Sequence, residues 1–209
     1  MEFGIFHEFL TTQTGSQARA FVQSFAQIEA AESWGLDVVW LAEIHMNPTR
    51  SLLSAPLTVA GAIAARTHRI KIGTAIQILP PAAGHPLRLA AAPDAYEESQ
   101  DRFAESLDII KAAWTQPVAS YRGRYHCFDN FTLVPRPLQQ PHPEIRIAAS
   151  QHETYATIGE LGYSVFSAVR ASPLTELAYH TKAYRDAWAA VGHRGKPRAF
   201  LQVPHLCRG

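Results

Sequence analysis

The sequence predicts an α/β fold built on parallel strands, and three observations carry that prediction. Short apolar runs alternate with stretches whose apolar residues recur at helical spacing. Val38-Val39-Trp40-Leu41 is apolar throughout, the pattern of a strand covered on both faces. The loops between runs are short, as in repeated βα units, which close into a barrel or open into a doubly wound sheet.

Residues 3–6 read as the first strand, and Ala18, Phe21, Val22, Phe25, Ile28 and Trp34 then follow helical spacing until Gly35 stops the helix. Residues 37–42 are the second strand. Ser54 followed by Pro56 predicts a helix start leading into Leu57, Ala60, Ile63 and Ala64. Residues 70–75 make the third strand, and residues 85–90 open its helix. The alternation then breaks. Pro93 begins a helix carrying Tyr96, Phe103, Leu107, Ile110 and Trp114, so a fourth strand and most of a helix are missing near 92–93. A polar, aromatic loop is predicted through Tyr121, Tyr125 and Phe128 to Pro143. Strand 144–149, helix 153–161 and strand 164–169 follow. Ser172 and Pro173 cap a helix with Leu174, Leu177, Tyr184, Trp188 and Val191 that Gly192 closes, and 198–203 is a last strand. No eighth strand is found. The first strand lacks the Gly-rich turn of a dinucleotide-binding sheet, which favours a (β/α) barrel, although eight complete units take about 250 residues. The predicted organisation is one incomplete barrel domain over 1–209, short of a segment near 92–93 and of a C-terminal part.

Composition narrows the function. The chain has 209 residues, 47% hydrophobic, with 19 basic and 18 acidic side chains and a net charge of +1, so nothing draws it to nucleic acid or an anionic membrane. Cys127 and Cys207 match neither zinc nor CxxC spacing, and the N-terminus has no basic and apolar leader pattern, which predicts a reducing, cytoplasmic setting.

Parallel sheets place chemistry at the C-terminal ends of their strands. Glu43 and His45 follow the second strand, though a loop histidine also serves as a surface or capping residue. Thr74 and Ala75 end the third, where small side chains let a flat ring approach backbone or simply finish a buried strand. Ser150-Gln151-His152-Glu153-Thr154 enters a helix, so free N–H groups there suit an anion, with Ser150 as a plain cap the alternative. His7-Glu8 does not continue as HExxH because Thr11 replaces the second histidine. His126, Cys127 and Asp129 are too crowded for a metal site, and none is expected. Glu97, Glu98, Asp101, Glu105 and Asp108 read as a solvated helix face.

Several segments, in order over most of the chain, resemble the bacterial luciferase-like, flavin-dependent monooxygenases. They are Met1-Glu2-Phe3-Gly4-Ile5-Phe6, the Trp40-Leu41-Ala42-Glu43-x-His45 strand end, residues 64–75, Ile78-Leu79-Pro80 and residues 85–90. Further on come Tyr121-Arg122-Gly123-Arg124-Tyr125, Pro135-Arg136-Pro137, Pro141-His142-Pro143 and Ile147-Ala148-Ala149-Ser150. The resemblance implies a TIM barrel in which reduced FMN, delivered by a separate flavin reductase, reacts with O2 to oxygenate a small organic substrate. It implies catalytic roles for His45, in proton transfer or flavin orientation, and for Glu43. Thr74, Ala75 and Glu43 would hold the flavin ring, Ser150 to Thr154 its phosphate, and Phe6, Trp40 and Phe166 would line an apolar pocket. A homo-oligomer is expected.

Two departures stand out. Ile44 occupies the first histidine position of the family's Glu-His-His, and between Ala92 and Pro93 the family carries a Gly-Arg-rich fourth strand that helps hold the flavin phosphate. They point to one alternative, a non-catalytic flavin-binding protein resembling the non-fluorescent flavoproteins; a deazaflavin-dependent reductase of the same superfamily, which uses the same barrel mouth, is another.

Overall fold

A computed structural model describes residues 2–10, 16–45, 47, 50–76, 98–169 and 173–203. The chain divides into two compact units, Met1–Pro135 and Arg136–Gly209. The helix start at His85, the break at Ala92-Pro93, and Pro93, Tyr96, Glu97 and Ser172 lie outside the described residues.

In the first unit, β1 (Gly4–His7), β2 (Val38–Ala42) and β3 (Lys71–Ile76) form a parallel sheet in that order. The crossovers are α1 (Gln17–Ser33) and α2 (Pro56–Ala64). Val39 and Leu41 point to the helices and join Phe9, Ile28, Leu53 and Ile63 in the core. Gly35, at φ 87°, ends the α1 segment as expected, since this left-handed conformation costs glycine least. Pro56 is the first residue of α2, where its fixed φ is already helical. Ala55 therefore takes the capping position, and Ser54 does not cap the helix.

The same unit contains α3 (Ser99–Thr115) and, where a loop was expected, an antiparallel hairpin of β4 (Ala119–Arg122) and β5 (Cys127–Phe131). A long-range carboxylate closes it. Glu105 of α3 accepts the backbone N–H groups of Arg124, Tyr125 and His126, the shortest at 2.6 Å. Gly123 makes room, because a Cβ there would meet the Glu105 carboxylate at 2.4 Å. Neither Glu105 nor Glu98, which pairs with Arg102 at 2.8 Å, is a merely solvated charge.

In the second unit, β6 (Arg146–Ala148), β7 (Ser164–Ala168) and β8 (Ala199–Gln202) are parallel and adjacent, with α4 (His152–Leu161) and α5 (Leu174–Val191) against one face. Gly162 and Gly192 end these helices at φ 74° and 76°. Pro173 takes the capping position of α5. Gly159 lets the helices cross closely, since a Cβ there would lie 2.4 Å from the Tyr184 carbonyl.

Glu144 ties the strand starts together. Its carboxylate accepts Arg146 at 2.7 Å, Ser164 Oγ at 2.7 Å and Arg198 at 3.1 Å. Burial pushes its pKa up, but these partners outweigh burial and hold it below the ordinary carboxylate range. A depressed folded pKa means stability that is present above the unfolded value, about 4.3, and lost as pH falls through the folded one. Glu144→Gln should therefore flatten the fall in urea midpoint on acidification below about pH 4.5. Parallel pH profiles for variant and parent would assign that acid sensitivity elsewhere.

Candidate functional site

Beyond Ala42 the second strand gives way to a loop, and two of its side chains meet. His45 Nε2 lies 2.6 Å from Glu43 Oε1, with the side chains 23% and 15% exposed. The spacing of two puts both on one side of the chain, while the Ile44 N–H between them donates to the Leu53 carbonyl at 3.0 Å. With Nε2 held by the carboxylate, a neutral His45 carries its proton there and Nδ1 is the acceptor nitrogen of the ring. The imidazolium form would offer Nδ1–H as an acid. The pair can hold a proton and pass it on.

The sheet prepares an apolar face. Phe6, Trp40 and Gly73 stand in one row of the register, on the face opposite Val39 and Leu41. A Cβ on Gly73 would lie 2.2 Å from Trp40 Cζ3, so the indole rests on the glycine backbone. Thr74 pairs with Leu41 and so shares the helix-facing side, which places backbone rather than its side chain on the Trp40 face. The register then shifts, Ala42 pairing with Ile76, and Ala75 is the extra residue of a bulge. Bulges of this kind re-aim strand ends beside active sites.

The remaining expected residues belong to the second unit. Gln151, extended at φ −108° and ψ 145°, takes the capping position of α4 without a side-chain bond, so Ser150 is not the cap. The Thr154 N–H already donates to the Gln151 carbonyl at 3.2 Å. The donors that helix geometry leaves without intrahelical partners are the N–H groups of His152 and Glu153. The His152 ring stacks on Tyr179 at 4.4 Å and lies 5.1 Å from His180, and its buried Nδ1 has no hydrogen-bond partner. Two free amides, the positive helix end and an orphaned imidazole nitrogen fit an anionic group, although the Glu153 carboxylate in the same turn opposes it. Phe166, 7% exposed, lies in the row Ala148-Phe166-Phe200, on the face away from α4 and α5.

The expected site residues thus fall into two sets. Phe6, Trp40, Glu43, His45, Thr74 and Ala75 share the first unit; Ser150 to Thr154 and Phe166 share the second. His7, at the end of β1, carries no role in the sequence reading beyond the failed HExxH pattern. The signal that could have found it is its position at a strand end, the same one that singled out Glu43 and His45. Among the described residues, no group of three or more His, Cys, Asp or Glu side chains could hold a metal ion, and no helix is long and apolar enough to cross a membrane.

A model of the luciferase-like monooxygenases matches residues 1–93 and 91–208, two segments that meet where the sequence breaks its alternation. An uncharacterized protein of Sinorhizobium fredii, y4vJ, is 29% identical over 197 residues, covering 79% of this chain and 55% of that protein. The FMNH(2)-dependent dimethylsulfone monooxygenase of Pseudomonas putida is 42% identical over 50 residues, 24% of this chain and 14% of that one. The F420-dependent glucose-6-phosphate dehydrogenase of Nakamurella multipartita is 27% identical over 198 residues, 79% of this chain and 57% of that enzyme. The chain spans about half the length of most of the curated relatives it matches. Among solved structures, the monooxygenase RslO1 of Streptomyces bottropensis superposes with TM-score 0.82 at 23% identity, over 96% of this chain and 70% of that one. The oxygenating constituent of 3,6-diketocamphane monooxygenase of Pseudomonas putida, in complex with FMN, gives 0.77 at 19% identity, over 96% and 66%. At these identities the likeness is one of fold.

Proposed function

The chain belongs to the luciferase-like monooxygenase family, and on that premise we propose that it is a flavin-dependent oxygenase of the TIM-barrel type. It would use FMN reduced by a separate flavin reductase and transfer one atom of O2 to a small organic substrate. The observation that carries the reading is the Glu43–His45 pair, 2.6 Å apart at a strand end beside the Trp40 face. When bound, reduced FMN supplies the electrons that activate dioxygen; the chain supplies binding, orientation and protons. Trp40 and Phe6 would give the flavin and substrate an apolar wall, the bulge at Ala75 would present backbone to the ring edge, and His45 would hold or move a proton at Nδ1. In the second unit, the first-turn amides of α4 would bind a phosphate group.

That last role has a direct test. The first residue of a helix tolerates proline, so His152→Pro removes one donor and keeps α4, while His152→Ala removes only the imidazole. FMN affinity should fall at least about tenfold further in His152→Pro than in His152→Ala, as for loss of a hydrogen bond to a charged group. Equal affinities in the two variants would take the phosphate away from this helix. Thr154→Pro is a poorer probe, because the Thr154 N–H is already used within the chain.

A second reading, a deazaflavin-dependent reductase, is favoured by the F420-dependent dehydrogenase among the relatives. Titration of the protein with FMN and with F420 in parallel separates the two. Tighter binding of F420, with hydride transfer and no oxygen uptake, would replace the oxygenase reading.

A further inference from the structure

His7 ends β1 as Glu43 and His45 follow β2, and the proposed function leaves it unused. Both ring nitrogens are engaged within the first unit. Nδ1 accepts the Phe9 N–H at 3.2 Å, which places the proton of the neutral ring on Nε2, facing Gln27 Oε1 at 3.1 Å. Burial lowers its pKa, against the opposing pull of Gln27 and Glu8, and so favours that neutral form. The residue it holds is strained. Phe9 has φ 54°, a left-handed conformation bulky side chains rarely adopt, with its ring fully buried against Phe21 and Phe25. A side-chain acceptor taking the N–H two residues on is what stabilises an Asx-type turn.

The turn reaches the second strand's loop through a series of bonds. The Phe9 carbonyl accepts the Leu52 N–H at 3.2 Å, and the Glu8 carbonyl accepts the Ser51 hydroxyl at 2.5 Å. The Glu8 carboxylate accepts two guanidinium N–H groups of Arg50. Ser51 Oγ in turn accepts the Leu53 N–H at 3.0 Å, and the Leu53 carbonyl accepts the Ile44 N–H. We propose that His7 is a positioning residue: by fixing the turn at Phe9 it ties the loop after β1 to residues 50–53, and through them it holds Ile44 and the Glu43–His45 pair in place. The functional meaning rests on the proposed role of that pair; the positioning itself is measured without flavin or turnover.

The test is amide hydrogen exchange at Ile44, Leu52 and Leu53, with the ring-nitrogen NMR signals of His45, in the full chain. His7→Leu should speed exchange at Ile44 about tenfold and shift the His45 signals toward those of an unpaired imidazole, while Val39 and Leu41 stay protected. His7→Asn, whose side-chain oxygen can accept the Phe9 N–H, should restore both to within about twofold of the parent. If His7→Leu fails to fold, Gln27→Ala decides, because it removes only the partner of Nε2 and should raise Ile44 exchange about threefold. Unchanged Ile44 exchange and His45 signals in the folded variant, or no restoration by His7→Asn, overturns the inference. If instead these shifts appear but His45→Ala leaves turnover intact, the catalytic reading of the pair falls and the positioning role of His7 stands.

Discussion

His45→Ala is expected to slow oxygenation by about 10²- to 10⁴-fold, the range for losing a general acid or base, with FMN affinity kept within about threefold. The expectation rests on the position of the ring. Its Nε2 is held by Glu43, and alanine removes the imidazole, and with it the proton the pair holds, without touching the Phe6-Trp40-Gly73 face. Glu43→Gln should give a smaller loss, because an amide can still orient the ring but does not stabilise its cation. Oxygen uptake coupled to product formation, with FMN reduced by an added flavin reductase, measures both variants. A His45→Ala protein that retains parental turnover while binding FMN would sink the assignment of the pair, and a parent that binds FMN without ever consuming oxygen would favour the non-catalytic flavoprotein.

Tyr184→Ala should cost the second unit about 3–5 kcal/mol, the usual range for emptying a large aromatic site in a core. The ring is 0% exposed between α5 and β7, and its hydroxyl proton lies between the carbonyls of Tyr163 at 3.0 Å and Arg198 at 3.2 Å. Burial of the hydroxyl raises its pKa, so it remains a donor throughout the ordinary pH range. Against a whole-domain stability of about 5–15 kcal/mol, such a loss leaves the unit marginal at room temperature. Tyr184→Phe separates the two contributions: it keeps the packing and leaves the carbonyls short of a donor, for about 1–3 kcal/mol. Urea titration followed by near-ultraviolet dichroism reports on this region, because the Trp188 ring packs 6.1 Å from Tyr184. An alanine variant with an unchanged midpoint would place the core of the unit elsewhere.

The parallel strands and the helices of both units were legible because each is written locally. Apolar spacing of two or of three to four residues reports which face a segment buries, and Gly35, Gly162 and Gly192 mark helix ends through their own backbone freedom. The hairpin was not legible. Its turn, Gly123 to His126, is closed by Glu105, 19 to 21 residues earlier in the chain, where no local signal announces it. From residue type, Ser54 and Ser172 read as caps, and Ser150 as one only in the alternative to an anion site; at the two of these helix starts that are described on either side, Ala55 and Gln151 take the position instead. Residue preference at a cap is worth about 1 kcal/mol, and the proline of α2 and the loop entering α4 decide the start against it.

By itself the sequence determined the α/β class, the family, and the residues that can carry chemistry at strand ends, because these depend on composition and order along the chain. Only the tertiary structure decided which of those residues meet. It pairs Glu43 with His45, lays Trp40 on Gly73, spends the Thr74 side chain on the helix face and the Thr154 N–H within its own turn, and gives His7 a role that its failed motif had hidden. The reason is one of distance. A hydrogen bond or a ring contact needs atoms within a few ångströms, and residues as far apart as His7 and Gln27, or Ile44 and Leu53, come that close only after the packed strands and helices have fixed where each loop begins and ends.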